Sequence, residues 1–82
     1  MNYKENWNNC LKLIKEGLTK QAYQTWFASI NCVDVTSSEI TIEVPSRFHY
    51  EWLDSKYDKL IEKALFKSFN TKLNIKYSVI IN

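Results

Sequence analysis

Glycine and proline are almost missing from this 82-residue sequence, one of each. Their scarcity excludes collagen-like repeats, flexible Gly/Ser linkers and glycine-rich phosphate loops. Histidine also occurs once, at His49, and the two cysteines, Cys10 and Cys32, stand far apart with no CxxC pair between them. With no nucleophile elbow and no metal-ligand spacing either, the sequence offers little from which to build catalysis, and no enzyme is expected. Two reduced thiols are the expected state of the cysteines, as in a reducing compartment. No apolar run exceeds a few residues, and the opening MNYKENW lacks the basic-then-apolar pattern of a signal peptide. A soluble, cytoplasmic chain with no membrane partner is expected. Charge of one sign is scarce too: eleven basic against nine acidic residues leave a formal charge of +2, too little for a dedicated nucleic-acid-binding domain on net charge alone.

What the sequence does hold is apolar and aromatic mass, 45% and 15% of residues respectively. That suffices for one compact domain burying about 60–65% of its unfolded surface. Tyr3, Trp7, Cys10, Leu11, Ile14 and Leu18 recur at three- and four-residue steps, which predicts an amphipathic helix of roughly four turns ending at Gly17. Thr19 stands where an N-cap would, and Ala22, Tyr23, Trp26, Phe27 and Ile30 trace a second, shorter helix. The period then changes to two. Val33 and Val35, a Ser-Ser-Glu turn, and Ile40, Ile42 and Val44 read as a β-hairpin closed by Pro45. After Ser46 a long helical stretch carries Leu53, Tyr57, Leu60, Ile61, Ala64 and Leu65 on one face. Phe69 to Lys72 close it, and Leu73, Ile75, Tyr77 and Val79 alternate as a last strand. The order helix-helix-strand-strand-helix-strand predicts an α+β domain, a three-stranded sheet with helices packed on one face.

Phe48 and Trp52 sit awkwardly in that scheme. At about 100° per residue, Leu53, Tyr57, Leu60, Ile61 and Ala64 cluster on one side of a continuous helix, while Phe48, Trp52, Lys56, Lys59 and Lys63 lie together opposite. Such a face suits partner docking through aromatic anchors, or weak single-stranded DNA binding through base stacking and lysine contacts to phosphate. If instead Asp54 caps a new helix after a bend, the phase breaks and Trp52 turns inward as core. His49, in the first turn, reads as a solvated residue. Trp7 lies mid-stripe, as core does, although a tryptophan near a chain terminus often keeps one edge accessible; Leu13 falls off that stripe and would extend an apolar patch beside it.

The residues also carry a family likeness. NWNNCLKLIKEGLTKQAYQTWFASI followed by ITIEVPSRFHYEWLDSKYDKLIEKAL resembles the N-terminal domain, domain I, of the bacterial chromosomal replication initiator DnaA family. The specific parts are Trp-x-x-Cys-Leu at Trp7 to Leu11, Thr-Trp-Phe at Thr25 to Phe27, and Val-Pro-Ser-Arg-Phe then Trp-Leu from Val44 to Leu53. The resemblance implies a KH-like fold that acts as a hub for protein-protein interaction in replication initiation, although the only glycine, Gly17, cannot form the GxxG clamp of an RNA-binding KH module. It implies self-association through the first helix at Trp7, and Cys10, Leu11 and Leu13 are expected to share that contact. It implies contacts with the replicative helicase and with initiation regulators through Phe48, and Arg47, Trp52, Gln21 and Ala22 are expected around it. At Ala22 some family members carry an acidic contact residue, so Gln21 or Lys20 would have to substitute. The ATP-binding AAA+ module and helix-turn-helix domain of an initiator have no counterpart in these residues, so ATP is expected only there and no cofactor here.

Overall fold

A computed structural model of the chain describes residues 3–81. Its elements are α1 (Lys4–Glu16), α2 (Lys20–Trp26), β1 (Asn31–Val35), β2 (Glu39–Val44), α3 (Arg47–Lys56), α4 (Asp58–Phe69) and β3 (Asn74–Val79). The expected order is present, with the third helix divided in two. β2 is the middle strand of a three-stranded mixed sheet, antiparallel to β1 and parallel to β3. Parallel neighbours need a crossover, and α3 with α4 supplies it.

Alternation along β2 decides which face the helices cover. Ile40, Ile42 and Val44 are enclosed, whereas Glu39, Thr41 and Glu43 between them stay half-exposed. Against these strand residues pack Trp7, Cys10 and Ile14 of α1, Phe27 and Ile30 after α2, Leu53 of α3, Ile61, Ala64 and Leu65 of α4, and Leu73. Each fully enclosed Leu, Ile or Phe contributes about 1.5–3 kcal/mol relative to exposure. Asn6 Nδ2 donates to the Ser68 carbonyl at 2.9 Å, which fastens α1 to α4.

The helix starts follow the capping residues. Thr19 Oγ1 accepts from the Ala22 amide at 3.1 Å and Ser46 Oγ from the His49 amide at 3.1 Å, each satisfying one of the free N–H groups of a first turn. At the other end of α4, Asn70 adopts φ 57°, a left-handed C-cap that asparagine tolerates.

Two local expectations change. β1 carries an irregularity between Cys32 and Asp34: Cys32 pairs with Ile42 and Val35 with Ile40, so Val33 is the extra residue and lies exposed. Cys32, not Val33, shares the inner side with Val35, because a bulge resets the two-residue period. The long helix after Ser46 also breaks, at Tyr57 rather than Asp54. Tyr57 closes α3 by donating its amide to the Leu53 carbonyl at 3.0 Å, and its own carbonyl accepts from Ile61 at 2.9 Å to open α4. Its ring meets Phe27 edge-on at 5.4 Å, so the joint is held by core packing.

Burial pushes the Cys10 thiol up to about 12 and Cys32 to about 11 from an ordinary 9.0. Both remain protonated where an unfolded chain's thiols ionise, so their contribution to stability is complete below pH 9 and is lost as pH rises from there toward 12. Iodoacetamide at pH 9 is expected to spare Cys10 in the native protein over a time that fully alkylates a urea-unfolded sample. Equal rates in the two samples would show that the thiol is not shielded.

Tyr77 presents a different expectation. Its hydroxyl is enclosed and has no hydrogen-bond partner. Tyr77→Phe should therefore leave stability unchanged or raise it by up to about 1 kcal/mol in urea unfolding, because an unmet polar group is removed and the ring kept. A loss of that size would reveal a partner in solution.

Candidate protein-docking face

The site starts from the junction of α2 and α3. Trp26 is the last residue of α2, and Pro45 and Ser46 stop β2 and start α3 beside it. His49, expected as a solvated residue, is buried instead: its Nε2 lies 2.7 Å from the Trp26 carbonyl. A carbonyl only accepts, so Nε2 carries the hydrogen and ties α3 to the end of α2. The bond fixes how the next aromatic residues meet.

Trp26 lies at the centre of that meeting. Trp52 stacks on it with ring centroids 5.1 Å apart and planes 19° from parallel. His49 presents its edge at 5.2 Å and Phe48 tilts over it at 6.1 Å. The Lys56 ammonium lies 5.6 Å from the Trp52 ring centre, a cation–π contact. Phe48, Trp52 and Lys56 follow one another at i, i+4 and i+8, so they share one flank of α3, while His49 and Leu53 point into the core.

Phe48 keeps 66% of its surface in solvent. Beneath it, the half-buried Trp26, packed against the core, and Trp52, stacked on Trp26, form a floor. The Trp52 Nε1 is enclosed without a hydrogen-bond partner. Around the rim, Arg47 Nε pairs with Glu51 at 3.3 Å, both side chains well exposed. An aromatic side chain raised on a fixed floor and ringed by charge has the anatomy of a binding hot spot.

The other residues singled out from the sequence fall into separate places. Ala22 stands one turn before Trp26 and extends this flank, whereas Gln21 points to a different, exposed side of α2. Trp7 is 7% exposed and Cys10 fully enclosed. Neither offers a contact surface in the folded monomer, since the stripe that carries them is the core-facing one. Leu11 and Leu13 are half-buried, and Leu13 lines a cavity of about 280 Å³ between α1 and α4 with Leu60, Ala64 and Lys67.

The break at Tyr57 takes Lys59 and Lys63 away from the aromatic flank. They line a cavity of about 350 Å³ with Glu62, Phe66 and Lys72, and no α3 residue contributes to it. Phe66, 54% exposed, is the residue that sequence reasoning missed. Its signal was present, since it lies three residues after Lys63 and seven after Lys59, on the same helical face.

Comparison with known proteins decides the family. Residues 4–67 match the DnaA N-terminal domain. The chain belongs to the DnaA N-terminal domain family. It is 42% identical over 73 residues to the chromosomal replication initiator protein DnaA of Flavobacterium psychrophilum, covering 89% of this chain and 15% of that protein. The DnaA proteins of Chlorobaculum tepidum and Bacteroides thetaiotaomicron are 38% and 33% identical over 76 residues, 93% of this chain in each case. The chain thus spans 15–16% of the length of these DnaA relatives. Within the DnaA N-terminal domain as it occurs here, among the described residues, no helix is long and apolar enough to cross a membrane.

Proposed function

We propose that the chain is a protein-interaction module of chromosomal replication initiation, acting in the cytoplasm by binding and not by catalysis. In this reading it docks the replicative helicase and initiation regulators through Phe48, with Arg47, Trp52 and Ala22 beside it, and associates with its own copies through the outer side of α1. The observation that carries it is the exposure of Phe48 above the Trp26–Trp52 stack. The family match and the relatives' name, chromosomal replication initiator protein, support the setting.

A contact centred on one raised aromatic suits an interface at the small end, below about 1,200 Å² in total, hence weak and reversible. Copies held side by side on DNA would make each weak contact effectively intramolecular and so raise its occupancy. Titration against the replicative helicase of the same cell, with wild type and Phe48→Ala at low and high salt, tests the reading. Binding that needs Phe48 and tolerates salt supports it, and binding indifferent to Phe48 removes its basis.

A second reading draws on the α4 cavity, where Phe66 stands exposed among Lys59, Lys63 and Lys72. A ring for stacking bases and ammonium groups for phosphates would give weak single-stranded DNA binding. Retention on single-stranded DNA that falls steeply with salt and drops on Phe66→Ala is the expected result. Lys56 is committed to the Trp52 ring and belongs to the other face.

A further inference from the structure

α3 turns a second flank toward the sheet, on the side away from Phe48 and Trp52. Tyr50 and Asp54, one turn apart, stand beside β3, where Ile75, Tyr77 and Val79 complete a cavity of about 220 Å³. The Tyr50 and Tyr77 rings lie 5.0 Å apart, inclined at 56°, so aromatic surface forms the walls. Asp54 stands exposed at the lip and has no ion-pair partner among the described residues. Tyr77 is raised above its ordinary 10.0 by burial first and then by the charges of Asp54 and Asp58. Asp54 is the charged residue of the lining, so the charge at the notch opposes the chain's net +2.

We propose that the Tyr50–Asp54–Tyr77 notch is a binding site for a basic side chain, arginine in preference to lysine, presented by a protein partner. Aromatic faces together with an unpaired carboxylate fit a guanidinium better than any other common group. Its plane stacks on the rings while its N–H fork meets the carboxylate, whereas an ammonium offers only a point charge. A phosphate would meet the like charge of Asp54 here, which sets the notch apart from the lysine-lined cavity of α4. A metal ion is disfavoured, because no group of three His, Cys, Asp or Glu suited to one occurs among the described residues. An apolar anchor would leave Asp54 at the lip without a partner. The site lies on the opposite flank of α3 from Phe48, so it stands or falls independently of the helicase-docking reading.

Titrating N-acetyl-arginine amide into the isotope-labelled protein and following amide and aromatic NMR shifts tests the site, with N-acetyl-glutamine amide as the neutral counterpart. Saturable shifts at Tyr50, Asp54 and Tyr77 with the arginine probe, absent with glutamine, are expected. Asp54→Asn should weaken binding by about fivefold. Glu5→Gln, the same charge change at an exposed position of α1, should leave it unchanged. The proposal is overturned if the shifts do not saturate or spread over all carboxylates, if glutamine matches arginine, or if Glu5→Gln weakens binding as much as Asp54→Asn.

Discussion

Replacing Trp7 by alanine is expected to cost about 3–5 kcal/mol of stability, the range for truncating an enclosed Trp or Phe. For a chain of 82 residues, total stability is of order 4–12 kcal/mol, so much of the native population is at risk. Each kcal/mol corresponds to about 4–8 °C in Tm for a domain of this size, and thermal unfolding by circular dichroism reads the effect directly. The magnitude follows from where the indole lies. Trp7 shares the inner face of α1 with Cys10 and Ile14, and the core there is closed by α4, which Asn6 holds through the Ser68 carbonyl. An alanine leaves a void that the surrounding helices cannot fill without moving. Self-association measured on this variant would therefore confound surface loss with unfolding. Trp7→Phe keeps most of the packing and separates the two: a folded phenylalanine variant with wild-type sedimentation would place association on Leu11, Leu13 and the outer side of α1. An alanine variant as stable as wild type would show that Trp7 is not core.

Phe48→Ala is expected to do the reverse. Partner binding should fall by about 2 kcal/mol, roughly thirtyfold, the scale of an aromatic hot spot. Folding should change by less than about 1 kcal/mol, because a side chain 66% exposed in the native state gives up little burial on truncation. What it does surrender is the tilted contact with Trp26, which accounts for the remaining loss. Isothermal titration against the helicase, paired with urea unfolding of the same sample, gives both numbers. A variant that binds as wild type would remove Phe48 from the docking face. One that unfolds with the binding loss would make it a core residue in solution.

Local chemistry made most of the fold legible. Thr19 and Ser46 cap the helices that follow them, and the alternation of Ile40, Ile42 and Val44 does set the inner face of β2. Periodicity failed where one residue reset the phase. The β1 bulge turned Val33 out and Cys32 in, and nothing in a run of valines and polar residues marks a bulge. The break at Tyr57 involves neither proline nor glycine. Phe27, distant in sequence, meets the Tyr57 ring, a tertiary contact no local window contains. That break divided the expected aromatic-lysine face, so Trp52 and Lys56 stayed with Phe48 while Lys59 and Lys63 joined Phe66. The exposure of Phe48 was readable because it depends only on the first turn after Ser46. The burial of His49 was not, since it depends on a carbonyl at the end of another helix that accepts from its ring.

The parallel pairing of β2 with β3 bears on how the chain is made. Glu39 pairs with Asn74 and Val44 with Val79, and all of α3 and α4 lies between the two strands. Contacts so far apart in the chain form late, because the intervening loop must close before any of them stabilises it. On a ribosome β3 also emerges after β2 and both intervening helices. Until it does, β2 has β1 on one side and a bare hydrogen-bonding edge on the other, open to a strand from any neighbouring nascent chain. A polypeptide stopped short of Asn74 would keep that edge for good, and its fate would be aggregation rather than a smaller folded domain.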